Sequence, residues 1–317
     1  MSSSPVRVPR DLTLVVALGA ALWATDAPWR VPLAGRVDAP TIVLAEHAVL
    51  VLVLLPFLPR AIRALAGTDL RTVLSVIGIG VGASAVATTL FTMSFRYGDP
   101  VTPAVIQKLQ PIIAILGAAW LLHERIRPVF AWFAVPALAG AWLLTFPDPT
   151  HIAIDRAEAV LLALGAATLW AAGTVLGRLV SASIGPLELT TLRFAVGLPA
   201  AAVIVALSGS AWWVPDLKAT GSVIGMALIP GLLAMWIYYR GLQRTPASRA
   251  TLAELAYPLT AAVVGIALFH TTLAWTQWLG AAIIVASVTA LSWHEVNSSV
   301  AAVDPAPLGS AVPERTG

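Results

Sequence analysis

Ala17-Leu18-Gly19-Ala20-Ala21, followed at once by Leu22-Trp23-Ala24, returns 146 residues later as Ala163-Leu164-Gly165-Ala166-Ala167 and then, one register on, Leu169-Trp170-Ala171. Alanine-rich helices produce such strings by chance, so the weight rests on the prolines, which recur in the same order. Pro40 corresponds to Pro186, Pro100 to Pro246, Pro111 to Pro258, and Leu122-His123 roughly to Phe269-His270, all at an offset of 146 to 147 residues. The pattern is that of a tandem duplication. Apolar runs of about the 20 residues that span a bilayer fall at 12–29, 40–59, 72–94, 101–122 and 129–146 in the first copy, and at 158–180, 187–207, 219–240, 247–269 and 273–293 in the second. Five is an odd number, so the second copy must enter the membrane from the opposite face. The expected fold is all-α: a polytopic membrane protein of ten transmembrane helices arranged as two inverted five-helix repeats. Such repeats put a binding site near the midplane between the halves and supply two conformations that open to alternate sides.

Composition points the same way. Of 317 residues, 58% are hydrophobic and 11% charged, against about 25% charged in a soluble domain, which excludes a soluble globular enzyme. Cysteine is absent, so disulfides, thiolate metal ligands, iron–sulfur clusters and cysteine nucleophiles are excluded together. The formal net charge of +3 comes from arginines at helix ends and makes no nucleic-acid surface. With both termini in the cytoplasm, twelve arginines from Arg7 to Arg315 lie inside, against Arg30, Arg36, Arg96, Arg156 and Lys218 outside, as the positive-inside rule asks. Arg7 and Arg10 before an apolar run imitate a secretory signal, but further spans come after it without a small-x-small cleavage site, so the run reads as an uncleaved first helix. The expected location is the cell (inner or plasma) membrane.

The chain resembles the drug/metabolite transporter superfamily in its EamA-like branch. The resemblance rests on Leu22-Trp23-Ala24 and Leu169-Trp170-Ala171, on Pro186 followed by Arg193-Phe194, on Pro111, and on Leu121-Leu122-His123-Glu124-Arg125-Ile126. It implies two inverted five-helix repeats with cytoplasmic termini. The expected organisation is a cytoplasmic N-terminus (1–11), a first EamA-like repeat (12–146), an extracytoplasmic linker (147–157), a second repeat (158–293) and a disordered cytoplasmic tail (294–317). Three places depart from the family pattern: Glu46-His47, Asp26, and His270-Thr271-Thr272.

An ionisable residue inside a span costs at least ~2.5 kcal/mol on insertion scales and so needs a partner or a purpose. At about 1.5 Å per residue, Asp26 lies roughly 6 Å in from Arg30, Glu46 roughly 9 Å from Pro40 and Lys108 roughly 12 Å from Pro100; from the other face, Arg193 lies roughly 10 Å from Pro186 and Glu254 roughly 12 Å from Pro246. His47 shares the first band. Two readings are open: Lys108 with Glu46 and Arg193 with Glu254 are ion pairs that fix packing, or they line and gate the vestibules of a solute path. Asp26, Glu46 and Glu254 outnumber Lys108 and Arg193, and the carboxylate left over can take up and release a proton, with Glu46 beside His47 the favoured carrier. Trp23 and Trp170 lie inside equivalent spans, where they either pack or offer a flat surface to organic solutes. Pro111 and Pro258, in mid-span, are the candidate hinges. Trp29, Trp212, Trp213, Trp275 and Trp278 on one side and Trp120, Trp132 and Trp293 on the other read as interface anchors, and Glu124 as a helix-capping carboxylate.

There is no metal-ligand spacing among the scattered histidines, no phosphate loop and no nucleophile elbow, so no cofactor, no metal and no catalytic residue is expected. The resulting expectation is a secondary transporter, an exporter of a small organic metabolite working by alternating access with the proton as candidate coupling ion. Its partners are the solute, protons and the lipid bilayer. The alternative is a membrane-embedded enzyme acting on a lipid-linked substrate, which would need its polar groups clustered at one interface.

Overall fold

A computed structural model describes residues 12–97, 106–126, 128–145, 148, 157–270 and 272–301. Every regular element among them is helical. Helix α1 (13–34) combines Thr13–Trp23, a 3-10 turn at Ala24–Asp26, and Ala27–Ala34. It continues past residue 29, where hydropathy alone ends it. Helix α2 (Ala39–Ala66) starts with Pro40 in its first turn, where proline's missing N–H leaves no bond unmade, and tightens to 3-10 geometry at Leu55–Phe57, around Pro56.

Helices α3 (Leu70–Ser94) and, later in the chain, Leu217–Leu242 begin alike. The Asp69 carboxylate accepts from the Thr72 amide at 2.9 Å, and Asp216 accepts from the Ala219 amide at 2.7 Å. Each carboxylate thus satisfies a donor that the first helical turn leaves free. Hydrogen bonds from Thr72 hold Asp69 below the ordinary carboxyl value; the Ala219 amide, with Arg36 adding its charge, does the same for Asp216. Both helices then widen into π geometry, at Gly78–Val86 and at Ala227–Leu233. The first stretch holds three glycines and the second Pro230, which removes one ladder donor.

Helix α4 (Gln110–Leu121) follows a 3-10 turn at Gln107–Leu109. The remaining elements are α5 (Pro128–Thr145), α6 (Ala157–Val180), α7 (Pro186–Ser208), α8 (Leu217–Leu242), α9 (Ala247–Leu268) and α10 (Trp275–Ala301). Helix α9 is interrupted at Glu254-Leu255, between Ala247–Ala253 and Ala256–Phe269. Helices α4 and α9 end at the same peculiarity: His123 and His270, with φ of 53° and 52°, are the positive-φ non-glycine residues among those described. Two histidines in left-handed conformation 147 positions apart mark the duplication in the backbone itself.

Seven described helices, α2, α3 and α5 to α9, are long and apolar enough to cross a membrane, and Gln110–Leu121 and Trp275–Leu291 are shorter apolar helices. Large apolar side chains such as Leu52, Leu116, Leu161 and Leu207 face outward, which lipid tolerates. Trp120, Trp132, Trp212, Trp213, Trp275, Trp278 and Trp293 are exposed as anchors should be. Trp29 is a correction: it packs inside, against Gly225. Helix α10 runs on through Ala301, past the end of the expected second repeat at 293.

The packing crosses between the copies. Helix α1 lies against α8 and α9, and its counterpart α6 lies against α3 and α4; α2 pairs with α7, and α5 with α10. Close approach is built in, since a Cβ on Gly19 would sit 2.8 Å from the Tyr238 amide nitrogen and one on Gly140 2.8 Å from the Gly280 carbonyl oxygen. In lipid such fit, rather than exclusion of water, holds helices together. Phe130, Ala137, Leu144, Ile284 and Leu291 form an α5–α10 core that α9 joins through Leu252 and Leu255, and the eight helices other than α5 and α10 enclose the centre.

Candidate functional site

Those eight helices surround a cavity of about 200 Å³. Of the residues expected in the path, Trp23, Asp26, Glu46, His47, Trp170, Arg193 and Glu254 all line it, as do Pro111 and Pro258. Lys108 stands on the 3-10 turn at Gln107–Leu109, and its side chain lies outside the described residues.

The Arg30 guanidinium occupies one wall. It bonds Asp26 bidentately through Nε and Nη2, reaches Glu46 Oε2 from Nη2 at 2.8 Å, and places Nη1 3.3 Å from the Thr92 hydroxyl. Asp26 and Arg30 are one helical turn apart, so α1 aims both from one face. The sequence puts Arg30 at the outer surface, whereas it is buried and pairs with Glu46; the reading that pairs Lys108 with Glu46 lies outside the described residues. Next to it, His47 Nδ1 lies 2.8 Å from the Val43 carbonyl and Nε2 2.9 Å from the Ser84 hydroxyl. The carbonyl can only accept, so Nδ1 carries the hydrogen and Nε2 accepts from Ser84 in the neutral ring.

The ion pair expected between Arg193 and Glu254 does not form. Arg193 donates from Nη1 to the Tyr239 hydroxyl at 3.0 Å and from Nη2 to the Ala83 carbonyl, inside the π segment of α3, at 2.8 Å. Its Nε is buried without a hydrogen-bond partner. Glu254 is held by neutral groups: Tyr238 Oη and Thr174 Oγ1 lie 2.7 and 3.0 Å from Oε1, and Gln110 Nε2 donates to Oε2 at 2.9 Å. Helix α7 turns Arg193 toward α3, while the break in α9 turns Glu254 toward α4, α6 and α8.

Two aromatic pairs complete the lining. Trp23 lies on Tyr238 with ring centroids 4.9 Å apart, and Trp170 meets Phe91 edge-on at 5.0 Å. Trp23 and Trp170 are repeat equivalents, and so are Phe91 and Tyr238, each 147 positions apart. Each tryptophan therefore packs on the other copy's aromatic.

Pro258 lies in the middle of α9, and it and Pro111 each follow a break in the helix. Each stands in the first turn of the helical segment after that break, Gln110–Leu121 or Ala256–Phe269, where its missing N–H is least costly. The interruptions, at Gln107–Leu109 and Glu254-Leu255, present Gln107 and Glu254 to the cavity. Glu124 caps as expected: its carboxylate accepts from the Ala247 amide at 2.8 Å and from the Ser248 amide and hydroxyl at 3.1 and 2.7 Å. Arg30, Ser84, Gln110, Thr174, Tyr238 and Tyr239 are cavity residues that sequence reasoning passed over. For Arg30 the i,i+4 spacing from Asp26 was a usable signal.

The model of the EamA-like transporter family matches residues 12–146 and again 157–293. The chain belongs to that family. Among curated proteins, this EamA-like chain is 30% identical over 180 residues to the uncharacterized transporter YwfM of Bacillus subtilis (strain 168), a match that spans 55% of the chain and 58% of that protein. It is 28% identical over 291 residues to the riboflavin transporter ImpX of Fusobacterium nucleatum, covering 88% of the chain and 96% of that protein. A riboflavin transporter of Vibrio cholerae is 26% identical over 268 residues, 82% of the chain and 84% of that protein. A crystal structure superposes with a TM-score of 0.73 at 18% identity, over 90% of this chain and 98% of its own, a likeness of fold alone. The EamA-like protein is thus a multi-pass membrane protein of a small-molecule transporter family.

Proposed function

We propose that the protein is a secondary transporter that carries a flat heteroaromatic solute through the central cavity by alternating access. The observation that carries this reading is the pair of exchanged aromatic contacts, Trp23 on Tyr238 and Trp170 on Phe91, which give the cavity two similar stacking walls. Two relatives named as riboflavin transporters make riboflavin the first solute to try.

In this reading ten helices cross the membrane as two inverted repeats, 12–146 and 158–293, with 147–157 outside and both termini in the cytoplasm. Exchanged packing of α1 with α8 and α9, and of α6 with α3 and α4, is what a two-fold relation between the halves produces. The breaks before Pro111 and Pro258 act as the paired hinges, since a broken helix bends at little cost. In the Asp26–Arg30–Glu46 cluster two carboxylates share one guanidinium, so one negative charge remains and a proton can neutralise it. Glu46 is the carrier, and Lys108 the added cation of the path. The cycle runs in either direction and exports wherever cytoplasmic solute is in excess. The polar groups surround one central cavity, which favours carriage over the membrane-embedded enzyme.

The test is counterflow in proteoliposomes. Vesicles loaded with unlabelled riboflavin should accumulate labelled riboflavin from outside, and an imposed pH difference should drive accumulation in the parent protein but not in Glu46→Gln. Absence of riboflavin flux rejects the solute, pH-driven accumulation by Glu46→Gln rejects the proton carrier, and turnover of lipid without flux supports the enzyme. Inversion is tested on the exposed equivalents Arg71 and Lys218. Cysteines placed there in this cysteine-free chain should label from opposite faces, and labelling from one face would end the inverted-repeat reading.

A further inference from the structure

The Arg193 guanidinium is only 7% exposed and lines the cavity, yet it is incompletely bonded. Nη1 and Nη2 are held by the Tyr239 hydroxyl and the Ala83 carbonyl, which fix the plane of the fork. Nε has no partner and no accessible surface of its own, so an acceptor reaches it only by a small displacement of its neighbours, and no carboxylate lies within ion-pair distance of the group among the described residues. Contrast Arg30, whose donors are shared among two carboxylates and a hydroxyl. A buried N–H of a charged donor without an acceptor costs more than its neutral equivalent, and an unpaired buried cation costs more again. The site is complete only when something brings an acceptor to it. Phe194 adds an apolar wall beside the fork, its ring centroid 6.0 Å from the guanidinium carbon.

We infer that Arg193 is a specificity-determining residue that donates from Nε to an acceptor oxygen, carbonyl or carboxylate, on the edge of a planar aromatic solute held in the central cavity. This deepens the transport reading and rests on its cavity. Within that frame Tyr239 and Ala83 are positioning groups: they engage two of the five guanidinium donors, hold its orientation, and leave Nε the one nitrogen without a bond. Solutes of equal ring area but without an edge acceptor would still stack and would leave Nε unmet. The discrimination expected is that of one charge-assisted hydrogen bond, roughly tenfold in affinity.

The experiment measures equilibrium binding to the purified full chain in detergent micelles with two matched pairs of probes. Riboflavin, with its carbonyl edge, is compared with anthracene, a flat tricycle without any hydrogen-bond acceptor; indole-3-acetate is compared with 3-methylindole. The acceptor-bearing member of at least one pair should bind roughly tenfold tighter, and in Arg193→Gln and Arg193→Lys that ratio should fall towards one. Arg193→Lys keeps the charge and guards against a folding defect, since a merely structural arginine would lower both members of a pair together. Tyr239→Phe, which frees Nη1 and loosens the fork, should lower the ratio in part. No acceptor preference in the parent protein, or a preference that survives both Arg193 variants, overturns the inference. An Arg193-dependent preference for indole-3-acetate with no riboflavin binding sustains it while rejecting riboflavin as the solute.

Discussion

Trp23 on Tyr238 and Trp170 on Phe91 are one contact made twice, with centroids 4.9 and 5.0 Å apart, whereas the polar groups around them have no such echo. On α1 the turn after Trp23 carries Asp26 and Arg30; on α6 the equivalent positions are Gly173 and Gly177. Those glycines let α6 close on its neighbours, for a Cβ on Gly173 would lie 2.5 Å from the Ala83 Cβ and one on Gly177 3.0 Å from the Tyr239 ring. One copy uses a helix face to hold a buried ion cluster, and the other uses the same face for close packing. Its carboxylate, Glu254, sits instead on α9 among neutral donors. The duplication has kept an aromatic frame in both copies and let the charges diverge, and a solute that enters the frame meets chemically different sides.

The sharpest way to break this contrast is Arg30→Ala. It leaves Asp26 and Glu46 facing each other without compensation, and should cost about 3–5 kcal/mol of stability, read as a collapsed thermal transition in detergent. Arg30→Met combined with Asp26→Asn and Glu46→Gln should recover most of it. Glu254→Gln, which disturbs only neutral partners, should cost less, about 1–2 kcal/mol; equal losses would erase the difference between the clusters. The aromatic symmetry is tested next. Trp23→Ala and Trp170→Ala should each weaken binding of a flat solute by roughly 10- to 100-fold, and an effect confined to one of them would show that only one wall is used. Smaller still, His123→Gly and His270→Gly should each stabilise by about 1–2 kcal/mol, because glycine adopts the left-handed conformation without a Cβ clash.

The smallest effects belong to the caps. Asp69→Ala and Asp216→Ala should lower the melting temperature by similar amounts at neutral pH. Both carboxyls are held below the ordinary value, so their contribution is present above that value and disappears as acid protonates them in the folded state. The variants should therefore approach the parent protein below about pH 3. A deficit that stayed constant with pH would remove the carboxylate from the account.

How far the sequence led depended on what kind of position was being read. The duplication was legible because prolines and tryptophans keep their order through divergence, and the cavity was legible because a charge in an apolar run is conspicuous. The pairing was not. Rise per residue gives height in the membrane but not azimuth, so Arg193 and Glu254 match by depth although one reaches the Ala83 carbonyl and the Tyr239 hydroxyl and the other Tyr238, Thr174 and Gln110. Arg30 was misplaced because hydropathy ends a span where the charge begins, while the helix runs on to Ala34. Gln110, Thr174, Tyr238 and Tyr239 left no mark at all, since a neutral hydroxyl or amide in an apolar run looks the same whether it faces lipid or a carboxylate. The π segments were equally silent: glycines and Pro230 permit them, but packing decides.

The exchange of α1 and α6 between the copies bears on how the protein is made. When a ribosome has released α1 to α5, α3 and α4 lack the packing that α6 supplies, and α1 is waiting for α8 and α9. The first repeat is then inserted but unfinished, its Phe91 without Trp170 and its Trp23 without Tyr238. Synthesis of the second repeat completes them in turn, Phe91 when α6 arrives and Trp23 when α8 follows. A chain stopped between the copies would leave that packing unmade, so the same interleaving that frames the cavity makes each repeat depend on the other to be complete.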